Sequence, residues 1–227
     1  MNPDGSGLHL LVEGVFRNLD LAPSRSWLVL TRWTERGNQL FTVNANGSGL
    51  QMISDRWWQS PRVSPDGTKI AAIELREGIG PVLVIMNRSG GGQQDIHLPN
   101  GLTNNVDWSP DGKKLVVTNS SSQALSVYDL GTGVQTIIRP RPAAAGSPIW
   151  SPDGSRIAFS NGTDLVVIPA GGGPDQVLTA AFAEHPREFA WDGSLSLLFT
   201  AGATMYRISV DGSGLTPIGT GISIPAA

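Results

Sequence analysis

Short apolar runs of four or five residues, separated by clusters of Ser, Pro, Asp and Gly, recur along the whole chain. The runs Lys69-Ile70-Ala71-Ala72-Ile73, Leu115-Val116-Val117-Thr118 and Arg156-Ile157-Ala158-Phe159-Ser160 are apolar or β-branched at nearly every position. That pattern predicts strands buried on both faces. The turn Ser-Pro-Asp-Gly precedes each of them, at Ser64-Pro65-Asp66-Gly67, Ser109-Pro110-Asp111-Gly112 and Ser151-Pro152-Asp153-Gly154. Pro presets φ near −65°, Asp bonds its own backbone and Gly accepts positive φ. Before each turn lies a short first strand: Arg62-Val63, Asn105-Val106-Asp107-Trp108 or Ile149-Trp150. A third strand follows the buried one, and in Ala124-Leu125-Ser126-Val127-Tyr128-Asp129 it alternates, which predicts one buried and one polar face. A fourth, outer strand closes each unit, at 95–98, 134–138 and 176–179.

The units repeat. Pro65 and Pro110 are 45 residues apart, and Pro110 and Pro152 are 42 apart. A period in this range means one supersecondary unit stacked many times. Two copies are degenerate at the turn, Ala22-Pro23-Ser24-Arg25 and Trp191-Asp192-Gly193-Ser194. A second periodic signal, Asp4-Gly5-Ser6-Gly7-Leu8, Asn46-Gly47-Ser48-Gly49-Leu50 and Asp211-Gly212-Ser213-Gly214-Leu215, marks hairpins between third and fourth strands. The expectation is a single all-β domain of five four-stranded antiparallel units over 15–57, 58–101, 102–145, 146–184 and 185–227. Residues 1–14 precede them and carry an orphan outer strand, His9-Leu10-Leu11-Val12. Pro217 weakens the last outer strand, since Pro is tolerated only at an edge, and Ile222-Ser223-Ile224-Pro225 reads as the start of a further first strand.

An aromatic residue, Ser-Pro-Asp-Gly, two polar residues and an apolar strand, as from Trp108 to Val117 and from Trp150 to Phe159, resembles the TolB-type, WD-like β-propeller repeat. The resemblance covers nearly the whole chain. It implies blades arranged about a central channel, with first strands lining it and fourth strands outside. A ring of five blades with a spare strand, part of a six-bladed or larger ring, and a ring closed by a second copy all fit the strand count. A ring closed within one chain is expected to be a monomer, and one not closed within the chain a homo-oligomer. Such blades occur in periplasmic TolB, in secreted bacterial proteins and as accessory domains of prolyl-oligopeptidase-type and tricorn-type proteases.

Composition agrees with many short strands and turns: 28 Gly and 16 Pro among 227 residues, with only 15% charged. The net charge is −3 and the Lys and Arg residues are scattered, which argues against nucleic acid as a partner. Cysteine is absent, so no thiolate site or disulfide framework forms, and a periplasmic or extracellular location is weakly favoured over a cytoplasmic one. No run of about 18 apolar residues predicts membrane insertion, and Met1-Asn2-Pro3-Asp4-Gly5 has none of the basic-then-apolar character of a signal peptide.

Little in the chain reads as catalytic. Asp66, Asp111 and Asp153 recur one per unit, which places them apart and gives them turn-forming rather than metal or acid–base roles. The three histidines, His9, His97 and His185, have no partners at metal-ligand spacing, so no metal or other cofactor is expected. Trp108, Trp150 and Trp191 occupy equivalent first-strand ends and are expected between blades, with Trp27 in the core. Trp57-Trp58 differs. It enters a first strand beside Arg62, and adjacent side chains of an extended segment point opposite ways, so one is expected at the surface. An exposed Trp near Arg is a hot-spot composition, or a stacking platform for a sugar.

The candidate binding residues are therefore those in the segments entering first strands: Trp57, Trp58, Arg62, Asn104, Asn105, His185, Arg187 and Glu188. The leading expectation is a non-enzymatic binding propeller that engages a protein partner at the channel mouth, with a small ligand in the channel as a further option. The rivals are a hydrolase or lyase, or its accessory domain, acting on polysaccharide or peptide, and a blade array with only an assembly role.

Overall fold

A computed structural model describes residues 11–98, 103–119, 124–140, 146–180, 182 and 185–220. The chain divides into two compact units, 1–97 and 98–227.

The first unit holds two blades. In the first, β1 (Phe16–Leu21), β2 (Trp27–Thr34), β3 (Gly37–Asn44) and β4 (Gln51–Ser54) pair in that order, all antiparallel. The second is β5 (Trp58–Val63), β6 (Lys69–Arg76), β7 (Gly80–Asn87) and β8 (Gln94–Ile96). Their core joins Trp27, Val29 and Leu40 to Trp58, Ile70, Val84 and Met86.

The second unit holds three blades. The third blade is β9 (Thr103–Trp108), β10 (Lys114–Asn119), β11 (Leu125–Asp129) and β12 (Gln135–Arg139). The fourth is β13 (Gly146–Trp150), β14 (Arg156–Ser160), β15 (Leu165–Pro169) and β16 (Gln176–Val177). The fifth is β17 (Phe189–Trp191), β18 (Ser196–Ala201), β19 (Thr204–Ser209) and β20 (Thr216–Thr220). One core joins the third and fourth blades through Val116, Leu125, Trp150, Ile157 and Phe159. Another joins the fourth and fifth through Ala158, Val167, Leu197 and Phe199.

The Ser-Pro-Asp-Gly turn owes its sequence to a closed set of bonds. In the third blade Ser109 Oγ donates to Asp111 Oδ1 (2.6 Å) and accepts the Lys114 amide (2.9 Å). Asp111 Oδ1 also accepts the Lys113 amide (3.1 Å), and Gly112, at φ 69°, donates to the Ser109 carbonyl (2.8 Å). The turns at Ser64 and Ser151 repeat the set. Asp66, Asp111 and Asp153 are thus held below the usual carboxylate range, first by the serine hydroxyl; Asp153 falls to about 2.

Blade-to-blade locks repeat within each unit. Asp20 Oδ2 accepts the Val63 amide (2.7 Å), and Asp107 Oδ2 accepts the Trp150 amide (2.9 Å) from the equivalent place. A Cβ on Gly90 would lie 2.4 Å from the Ile53 carbonyl oxygen, and one on Gly172 would lie 2.9 Å from that of Ile138. At both places only glycine lets a hairpin reach the preceding outer strand. Gly47 stands in the same relation to Leu11, at 2.7 Å from its carbonyl oxygen, so Leu11 occupies at the first blade the place of Ile53 at the second. His9 and Leu10 of the expected orphan strand, and Ile222 to Pro225 of the tail, lie outside the described residues. The last outer strand forms despite Pro217, which pairs with Tyr206 at a register shift on the sheet edge.

Three first strands are longer than the sequence pattern indicates, β9 among them, which begins at Thr103. β5 begins at Trp58 and β13 at Gly146, because each carries a bulge at a Ser-Pro pair. Ser60 (φ 47°) and Ser147 (φ 49°) are both four residues ahead of the turn serine and hold left-handed backbone.

Candidate binding surface

Trp57 and Trp58 part company at the start of β5. Trp58 pairs with Glu74 and is 0% exposed, inside the core of the first two blades. It is a strand residue rather than part of the link, and its burial takes it off the surface. Trp57 is 43% exposed. Its ring lies on Gly37, where a Cβ would approach to 3.1 Å, and its carbonyl accepts the Leu75 amide (2.8 Å). The residue thus bridges the β2–β3 hairpin of the first blade and the end of β6 in the second.

An ion cluster fixes the link that carries it. Glu74 is 2% exposed and its carboxylate takes Arg56 (2.8 Å) and Arg76 (2.7 Å). Arg76 also forks onto Asp95 (2.6 and 2.8 Å), which raises the guanidinium pKa, first through Asp95 and then through Glu74, and holds Asp95 below its usual range. Arg56 therefore reaches from the Trp57 link to a buried anion. On the neighbouring hairpin Trp33 is 45% exposed beneath the guanidinium of Arg17, 5.0 Å from the ring centroid. Ile79, on the β6–β7 hairpin, is also exposed. Two indoles, arginines and an isoleucine crowd one end of the first unit.

Arg62 is half-buried within β5, and its charge acts on Asp20. Burial pushes the Asp20 carboxyl up, and the Val63 amide and Arg62 oppose that only in part.

In the second unit Asn105 is half-buried in β9, while the Asn104 side chain lies outside the described set. His185, Arg187 and Glu188 are exposed along a segment that extends β17. Arg187 N donates to the Thr200 carbonyl (2.9 Å), and the Glu188 carbonyl accepts the Thr200 amide (2.9 Å). His185 Nδ1 lies 3.3 Å from the Thr163 carbonyl on the β14–β15 hairpin. Glu188 also borders an apolar hollow of about 300 Å³ with Ala190, Leu198 and Met205. Within this unit the structure brings those three residues onto one segment.

Sequence reading missed Gly37, Arg56 and Glu74. Glu74 carried a signal, a carboxylate directly after the buried run 70–73 in a strand; Gly37 and Arg56 matter only through the tertiary contact with Trp57 and Glu74.

Compared with known proteins, the chain matches no family model. Putative TolB from Agrobacterium tumefaciens superposes with a TM-score of 0.75 at 17% identity, over 90% of this chain and 80% of that one. TolB from Acinetobacter baumannii gives 0.75 at 18% identity, over 96% and 59%. The chain has the fold of a TolB-type β-propeller. A chain of the nidogen/laminin complex shares it at TM-score 0.71 and 11% identity, over 89% of this chain and 78% of that one. Among sequences, the chain is 28% identical over 204 residues to the "Uncharacterized peptidase YuxL" of Bacillus subtilis, and 38% identical over 82 residues to dipeptidyl-peptidase 5 of Porphyromonas endodontalis. It spans 29% and 12% of the lengths of those relatives. No helix among the described residues is long and apolar enough to cross a membrane.

Proposed function

We propose that this TolB-type propeller is a binding module that engages a protein partner through the link-and-hairpin end of its first two blades, with Trp57 as the anchor. The observation that carries the reading is an indole 43% exposed that packs on Gly37, in a link tethered by the Arg56–Glu74 ion pair. A large side chain already packed on its own chain loses little entropy on binding, and Trp and Arg dominate hot spots. Asn104, Asn105, His185, Arg187 and Glu188 belong to the same reading as the corresponding segments of the second unit. A periplasmic or extracellular setting accompanies it, on the strength of the missing cysteine and the TolB-type fold. The test is photo-cross-linking from benzoylphenylalanine placed at position 57 in the producing cells, followed by affinity measurement with the captured protein. A discrete adduct whose affinity falls at least about tenfold in Trp57→Ala supports the reading. No discrete adduct, or an unchanged affinity, removes it.

A second reading rests on the two peptidase relatives: the blades serve as the propeller of a peptide hydrolase. Release of fluorophore from dipeptidyl substrates by the purified protein would favour it. No turnover, together with an adduct at position 57, favours the first.

A further inference from the structure

Within each unit a blade turns two core positions toward the blade that follows it, and the sheet register identifies both. On the second strand the position lies one pair in from the turn: Val29 opposite Asp20, Val116 opposite Asp107, Ala158 opposite Ile149 and Leu198 opposite Ala190. On the third strand it is Leu40 opposite Thr31, Leu125 opposite Thr118, Leu165 opposite Ser160 and Met205 opposite Thr200. In the first, third and fourth blades both positions are 0% exposed. Trp58 packs in one core with Val29 and Leu40, Trp150 with Val116 and Leu125, and Leu197 and Phe199 with Ala158 and Leu165. On the fifth blade the positions are again apolar, yet Leu198 and Met205 are only half-buried. They line the hollow of about 300 Å³ beside Ala190.

We propose that the chain directly after β20, residues 221–224, folds over the fifth blade and seats Ile222 and Ile224 in this hollow.

Register, reach and chemistry agree on this occupant. In the first blade Leu40 pairs with Ser54, and four residues on comes Trp58, which covers Val29 and Leu40. In the fifth, Met205 pairs with Gly219, and four residues on comes Ser223, between Ile222 and Ile224. Alternation along an extended segment turns both isoleucines to one side. β20 delivers the chain to the right end of the blade, since its last residue, Thr220, pairs with Thr204 beside Met205. Met205 and Leu198 lie one and two strands in from β20, about 5 and 10 Å across the sheet, and four extended residues reach about 13 Å. The hollow is apolar apart from Glu188 and Thr200, and an isoleucine brings into it no polar side-chain group that needs a partner. Flanking chain already packs on an end face in the first unit, where Val12 lies against Leu30, Phe41 and Val43. Those three are buried, which takes that face out of contention as the occupant presented by a second copy. The contact is independent of the Trp57 surface.

The test follows sulfoxide formation at each methionine by mass spectrometry while the purified chain is exposed to hydrogen peroxide. Met52, 49% exposed, sets the rate of an open thioether, and Met86, 1% exposed, reports that the fold is intact. Met205 oxidises at least about tenfold more slowly than Met52 in the natural chain, because susceptibility follows exposure. In Ile222→Ser/Ile224→Ser it oxidises several-fold faster, with Met52 and Met86 unchanged. The chain has no cysteine, so an engineered pair gives a second readout that leaves the rest of the tail intact. Met205→Cys/Ile224→Cys closes an intrachain disulfide under mild oxidation, several-fold faster than Met205→Cys/Ser223→Cys, and this decides the matter should the serine variant loosen the fold. Oxidation of Met205 at the Met52 rate in the natural chain overturns the proposal. So does protection that the serine variant leaves unchanged, equal closure by the two cysteine pairs, or a disulfide that joins two copies.

Discussion

The first-to-second and third-to-fourth grooves share two framework contacts and differ in what fills them. An aspartate of one first strand accepts an amide of the next in both, through Asp20–Val63 and Asp107–Trp150. A glycine of the later hairpin touches the earlier outer strand in both, through Gly90–Ile53 and Gly172–Ile138. Side chains outside these two contacts differ, among them Trp27 against Lys114 and Arg88 against Ala170. Arg88 lies over the Trp27 ring and bonds Asn44, whereas a cleft of about 320 Å³ opens beside Lys114 and Ala170. Repeated residues hold the frame, and departures from the repeat decide whether a groove is filled by the chain's own side chains. Trp57 is another departure, with no tryptophan at the equivalent place in the other blades.

The comparison breaks most visibly if the shared frame is not equally deep in both grooves. Trp58→Ala and Phe159→Ala each empty a fully buried site, and each should cost about 3–5 kcal/mol in urea denaturation. Trp57→Ala, one residue from the first, should cost less than about 1 kcal/mol, since its ring is already half in water. Next come the close approaches. Gly90→Ala combines positive φ with a carbonyl oxygen at 2.4 Å and should cost about 2–4 kcal/mol. Gly172→Ala, at 2.9 Å, should cost less, and Gly67→Ala, with nothing within 4 Å, only the backbone strain of about 1–2 kcal/mol. Arg88→Ala, which removes the filling and leaves the frame, should cost about 1 kcal/mol by thermal unfolding.

Acid titration sharpens the comparison with the smallest effects. Asp153, lowered to about 2 by Ser151 and Ser155, contributes stability that is full above pH 3.8 and lost as pH falls toward 2. Asp153→Asn should flatten that acid limb of the unfolding curve. Asp20 has the opposite sign. Its pKa is raised by burial, so ionising it opposes folding, and stability falls as pH rises from 3.8 through its folded value. Asp20→Asn keeps an oxygen for the Val63 amide without the charge. Its unfolding midpoint relative to the natural protein should therefore rise between acid and neutral pH.

The repeat made the blades legible, because period, turn residues and apolar runs all act locally. Asp66, Asp111 and Asp153 read as turn formers for the same reason, and their bonds lie within five residues. Trp150 between blades followed from its equivalent first-strand position, and Trp27 in the core from its place at the start of a second strand. The fate of Trp58 did not, since the bulge at Ser60 that extends β5 back to it depends on pairing with β6. Glu74, Arg56 and Gly37 come together across 37 residues of chain, and the open cleft depends on the size of Ala170 beside a turn 60 residues earlier. Neither is a pattern that spacing can display.

Hydrogen-exchange protection in the complex with the protein captured at position 57 tests the division between frame and departure most directly. Slowed exchange at 54–58 and 34–37, with none at the second-blade turn 64–67, is the outcome expected. Protection centred on 64–67, with 54–58 unchanged, would contradict it.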